Sequence, residues 1–141
     1  MKRAIYPGSF NPWHDGHEDV LEKALKIFDE VTIARGINPD KEDQVSEENF
    51  IDMLFEKYAT PSYCPINVED FSGMLVDQVK KEDYCAVIRG LRNGNDLQYE
   101  QNQQYWNEDL GLNIPVVYFI TDRKYGHISS SAIRAIERIK K

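Results

Sequence analysis

The sequence contains only two cysteines, Cys64 and Cys85, with no CxxC spacing and no histidine cluster beside either, so no disulfide framework or structural zinc site is expected. Long apolar runs are also missing. The longest, residues 114–120, is far shorter than the roughly 20 residues that cross a bilayer and has the length of a buried strand, so no membrane association is expected. The first residues lack the apolar core of a secretory signal, and a reduced, cytoplasmic setting is the expectation. Positive charge is in deficit. Seventeen Lys and Arg against 24 Asp and Glu leave a net charge of -7, which argues against a nucleic-acid partner. Any anionic ligand must then meet a local cluster of cations. No repeat, low-complexity tract or linker interrupts the 141 residues, a length that suits one domain.

What is present is an alternation of short β-branched stretches with amphipathic helical ones, the pattern of a parallel sheet covered on both faces. Strands are expected over residues 3–6, 31–34, 66–68, 86–88 and 116–120. Val20, Leu21, Ala24, Leu25 and Phe28 recur at helical spacing, as do Phe50, Ile51, Leu54, Phe55 and Tyr58 behind a candidate cap at Ser46. Further helices are expected over residues 74–80, 96–107 and 130–139. The fold class is therefore α/β, a single Rossmann-like doubly wound domain with a five-stranded parallel sheet. The polar loop of residues 36–45 is a candidate binding element.

Three motifs fall where such a sheet binds ligands, at the carboxyl ends of its strands. The first strand runs into residues 6–17, YPGSFNPWHDGH, and a helix follows at once. Gly8 and Gly16 allow close backbone approach, the helix start favours phosphate, and His14 and His17 form an HxGH tetrad able to donate hydrogen bonds to oxygens whose charge rises in a transition state. Asp15 alone does not complete a metal site with them. Arg89-Gly90-Leu91-Arg92 ends the fourth strand, ahead of Asp96, Tyr99 and Glu100, and its two guanidinium forks can address two phosphate groups. Ile128-Ser129-Ser130-Ser131 opens the last helix, where one serine can cap and the others can donate to phosphate.

Taken together with KRAIYPGSF, FDEV, Asn38-Pro39-Asp40-Lys41 and residues 71–75, FSGML, these motifs resemble the phosphopantetheine adenylyltransferases of bacterial coenzyme A synthesis, over nearly the whole chain. HxGH and ISSS belong to the wider nucleotidyltransferase superfamily, and RGLR with its D-x-x-Y-E continuation is the more specific signal. The resemblance implies transfer of AMP from ATP to phosphopantetheine, with Mg²⁺ brought mainly by the ATP phosphates. By it, His17 stabilises the transition state. His14 stands where the family usually has Thr and is a second donor. Ser9, Phe10, Gly90, Leu91, Arg92, Glu100, Tyr125, Gly126, His127, Ile128, Ser129, Ser130 and Ser131 would hold ATP together with His17, while Ser9, Lys41, Leu75 and Arg89 would hold the acceptor. A homo-oligomer is implied as well, hexamers being common among family members.

The chain departs from the family at several points: Asn11 for Asp, Asn93-Gly94-Asn95 for a more apolar segment, and Glu108 for a basic residue. FNP, the full HxGH and Arg134 after ISS are closer to the nicotinamide-nucleotide adenylyltransferases, which remain the alternative. Met74 and Leu75 would form an apolar wall for a pantetheine arm, whereas a nicotinamide ring would need an aromatic partner such as Trp13 or Trp106.

Overall fold

A computed structural model describes residues 1–38 and 44–140. Its five strands are β1 (Arg3–Gly8), β2 (Glu30–Gly36), β3 (Ile66–Phe71), β4 (Ala86–Leu91) and β5 (Val116–Ile120). All pair in parallel, in the order β3-β2-β1-β4-β5. The expected Rossmann-like sheet is present, and β1 to β4 each run past the expected end toward the ligand-binding edge.

Alternation along the strands divides the interior in two. Ala4, Tyr6, Val31, Ile33, Ala86 and Ile88 face α1 (Asp15–Leu25) and α2 (Glu47–Tyr58), with Val20, Leu21, Phe50 and Leu54 filling that layer. Ile5, Ala34 and Val87 face the opposite side, where Val76 and Val79 of α3 (Leu75–Val79) close a smaller core. Burial on both faces explains why the strands read as nearly continuous apolar runs.

The helices start where polar residues satisfy their free amides. Ser46 Oγ accepts the Asn49 amide at 3.2 Å to begin α2. Asn93 does the same for Asp96 at 3.1 Å, so α4 (Gly94–Asp109) begins earlier than its apolar residues suggest. Of its 16 residues only Glu100 is buried, which left no periodic stripe to mark its ends. In α5 (Ser130–Lys140) Ser129 Oγ accepts the Ala132 amide at 3.1 Å. No helix among the described residues is long and apolar enough to cross a membrane.

Candidate active site

β1 and β4 lie side by side at the middle of the sheet, and the chain leaves them toward opposite neighbours, the topological switch at which an open α/β sheet binds its ligands. The turn after β1 is shaped by one aromatic residue. Phe10 is buried with φ 44°, a left-handed conformation rare for a bulky side chain, and rings of Tyr6, Trp13 and His17 pack edge-on around it. Its ring lies over Gly8, where an added Cβ would stand 2.7 Å from Cζ. Gly8 is therefore required for packing.

The turn delivers the chain into α1 through a capping box built from histidines. His14 is the N-cap and its Nδ1 accepts the Gly16 amide at 3.1 Å, while His17 Nδ1 accepts the His14 amide at 3.2 Å. The two rings stack with centroids 3.7 Å apart. With both Nδ1 atoms accepting, each imidazole carries its proton on Nε2. Burial first, with His14, Arg89 and Arg92 adding to it, pushes the His17 pKa down to about 2. The His14 pKa is lowered as well, by burial first and then by Arg92. Both histidines are neutral hydrogen-bond donors near pH 7.

Two cavities flank this turn. One, of about 330 Å³, is lined by Ser9, Phe10, His14, His17, Gly90, Arg92 and Glu100, and across from them by Tyr125, Ile128, Ser129, Ser130, Ser131 and Arg134. The other, of about 310 Å³, is lined by Gly36, Phe71, Leu75, Gln103, Gln104 and Tyr118 among others. Pro7, Gly8, Arg89, Tyr99 and Glu100 line both.

Not every residue expected from the sequence reaches a cavity. Leu91 is buried in the sheet, and neither Gly126 nor His127 lines the first cavity, because the chain there turns as a 3-10 segment, Arg123–Tyr125, before ISSS. Met74 is exposed and lines neither cavity, leaving the apolar wall to Leu75 and Phe71. Trp13 and Trp106 line neither, since Trp13 packs against Phe10 and Trp106 is exposed on α4. Lys41 lies outside the described residues.

The arginines are already engaged. Arg89 forms a two-pronged pair with Glu100, at 2.9 and 2.7 Å, and its remaining nitrogen donates to the Pro7 carbonyl at 2.6 Å. It stands between the cavities as a strut. Arg92 pairs with Asp96 at 3.0 and 3.2 Å, and Arg134 bonds the Asn11 carbonyl and Ser131 Oγ. Thr121, Tyr118, Gln103 and Gln104 line the cavities as well. Nothing in their types or spacing marks them as cavity residues.

A family model for the cytidylyltransferase-like proteins matches residues 5–136. A phosphopantetheine adenylyltransferase of Clostridium novyi (strain NT) is 40% identical over 136 residues, 96% of this chain and 83% of that protein. The chain belongs to the phosphopantetheine adenylyltransferase family. A second family member, from Syntrophomonas wolfei, is 40% identical over 134 residues, covering 95% of this chain and 82% of its own. The fold is shared more widely: a crystal structure of a candidate nicotinate-nucleotide adenylyltransferase from Vibrio parahaemolyticus superposes with a TM-score of 0.64 at 18% identity, covering 100% of this chain and 83% of the other. As a phosphopantetheine adenylyltransferase family member the chain is a nucleotidyltransferase, and the HxGH box, RGLR and ISSS surround a single cleft in it.

Proposed function

We propose that the chain transfers AMP from Mg-ATP to phosphopantetheine, giving dephospho-coenzyme A and pyrophosphate, in the cytoplasm and as a homo-oligomer. The observation that carries this reading is the meeting of the two cavities at Gly8 and Arg89, beside the neutral donor His17. ATP fits the cavity between the HxGH box and ISSS. The acceptor fits the second, where Leu75 and Phe71 give a flexible arm an apolar wall and Gln103 and Gln104 offer amides to it.

In the reaction an oxygen of the acceptor phosphate attacks the α-phosphorus of ATP, the bond from that phosphorus to the bridging oxygen breaks, and pyrophosphate leaves with the electron pair. The attacking phosphate is already ionised near pH 7, so no protein nucleophile or dedicated base is required. The protein positions the two phosphates and stabilises the charge that develops on the α-phosphoryl oxygens. His17 and His14 supply uncharged Nε2–H donors, and Ser129 and Ser131 offer hydroxyls at the start of α5, where the Ser130 hydroxyl is held by the Pro12 carbonyl. The carboxylates lining the ATP cavity, Asp96 and Glu100, are both held by arginines, and among the described residues no group of three or more metal ligands converges. In this reading magnesium is brought mainly by the ATP phosphates, as part of the Mg-ATP substrate.

Pyrophosphate release with phosphopantetheine and with nicotinamide mononucleotide, side by side, tests the assignment. kcat/KM is expected to be at least about a hundredfold higher for phosphopantetheine, the scale on which a mismatched polar site rejects an analogue. Preference for the mononucleotide would overturn the acceptor while leaving adenylyl transfer standing.

A further inference from the structure

The two walls of the ATP cavity belong to segments far apart in sequence: the start of α1, with His14 and His17, and residues 121–131 after β5. The far end of the second segment is tied to the β1–α1 turn. Ser130 Oγ donates to the Pro12 carbonyl at 2.9 Å, and Arg134 to the carbonyl of Asn11. Its near end is tied to α1 itself, by residues that line no cavity. Asp19 Oδ2 accepts the backbone amide of Asp122 at 2.8 Å and Lys23 Nζ at 3.0 Å. Lys23 Nζ in turn donates to the Ile120 carbonyl at 2.7 Å and to Asp122 Oδ1 at 3.0 Å.

These contacts form a closed latch. The Asp19 side chain is only 10% exposed, so the loop amide that it accepts has little competition from water, while the Lys23 ammonium, 28% exposed, closes the latch on its outer side. Asp19 lies two residues beyond His17 on the same rigid helix, and Thr121, next to the latched Asp122, lines the cavity. The distance between the ISSS wall and the His17 ring is thus fixed at one end by Asp19 and Lys23 and at the other by Ser130 and Arg134. The acceptor cavity takes no residue from residues 120–131.

We propose that Asp19 and Lys23 are positioning residues for ATP, holding the start of residues 120–131 against α1 so that the nucleotide is gripped between that segment and His17. This rests on the reading of that cavity as the ATP site. Its signature is selectivity for one substrate. Lys23→Met removes every bond from Nζ while keeping the length of the side chain, and Lys23→Arg keeps a cation there. Lys23→Met is expected to raise KM for ATP about tenfold, the scale of coupling carried by residues that touch no ligand, while KM for phosphopantetheine stays within about twofold. Lys23→Arg is expected to recover most of that loss. Asp19→Ala, if it folds, is expected to exceed Lys23→Met, since it also frees the Asp122 amide.

Calorimetric titration of wild type and Lys23→Met with ATP reads the latch without turnover, so it separates a failed latch from a failed assignment of the reaction. A wild type that binds ATP but releases no pyrophosphate would sink the assignment alone, and a tenfold weaker Lys23→Met would still uphold the latch. Unchanged ATP affinity in Lys23→Met, equal changes in KM for both substrates, Lys23→Arg as impaired as Lys23→Met, or a wild type that binds no ATP would each overturn the proposal.

Discussion

His17 accepts the backbone amide of His14 on Nδ1 at 3.2 Å, and this one bond settles which nitrogen of the HxGH histidine is free to donate. The ring is held as the Nε2–H tautomer by the same capping box that starts the helix. Structure and chemistry share a single contact.

His17→Ala is expected to lower kcat at least about a hundredfold, the usual loss when a preorganised donor to developing charge is removed. Because burial holds the His17 pKa near 2, no ionisation of this residue is expected in the rate profile between about pH 6 and 8. Stopped assays across that range check both points; near-normal turnover of the variant, or a limb that vanishes with it, contradicts this role. His14→Thr keeps an N-cap acceptor and is expected to be far better tolerated.

The same depressed pKa carries a stability consequence. In the unfolded chain His17 titrates near its ordinary 6.5, whereas in the fold it stays neutral to about 2. Between those values the unfolded state binds a proton that the folded state does not, so this contribution is complete above pH 6.5 and declines as pH falls toward 2. His17→Gln removes that slope. Thermal unfolding of the variant is expected to show a smaller fall in Tm than wild type between about pH 6.5 and 4.5; parallel falls would refute it.

Gly90 gives RGLR a packing role besides its place in the cavity. A Cβ there would lie 2.7 Å from Val20 Cγ2 of α1. Gly90→Ala is expected to cost roughly 1–3 kcal/mol by overpacking. Val20→Ala makes the missing space, so the double variant should be less destabilised than the sum of the singles, as a chemical-denaturation cycle would show.

Arg89 makes a different kind of test. Its guanidinium braces the wall shared by both cavities, so Arg89→Ala is expected to raise KM for ATP as well as for phosphopantetheine, and to destabilise by roughly 2 kcal/mol by stranding the nearly buried Glu100. Removing both partners, Arg89→Ala with Glu100→Ala, should cost less than the two losses added. An effect confined to the acceptor would show that Arg89 grips the acceptor phosphate directly.

The sheet was legible because its strands are β-branched and buried on both faces, and the cleft was legible because HxGH and ISSS follow strands and RGLR ends one. Side-chain partners were not. Arg89 and Arg92 read as free phosphate ligands in sequence, whereas Glu100 and Asp96, on α4, occupy their forks. Arg92 and Asp96 lie four positions apart but on either side of the α4 N-cap, where helical spacing gives no guide to pairing; the Asp19 contact with Asp122 spans 103 positions and left no local trace. The polar α4 likewise hid its own ends.

The wall common to both cavities sets terms for divergence. Pro7, Gly8, Arg89, Tyr99 and Glu100 line both cavities, so under the proposed assignment a lineage that altered them would change how it handles ATP along with its acceptor. Phe71, Leu75, Gln103, Gln104 and Tyr118 line only the second cavity, the proposed acceptor side. A new acceptor is therefore reachable by substitutions on β3, α3, α4 and β5 that leave the adenylyl-transfer apparatus as inherited, which is how one fold can keep its reaction while its descendants exchange one small phosphorylated substrate for another.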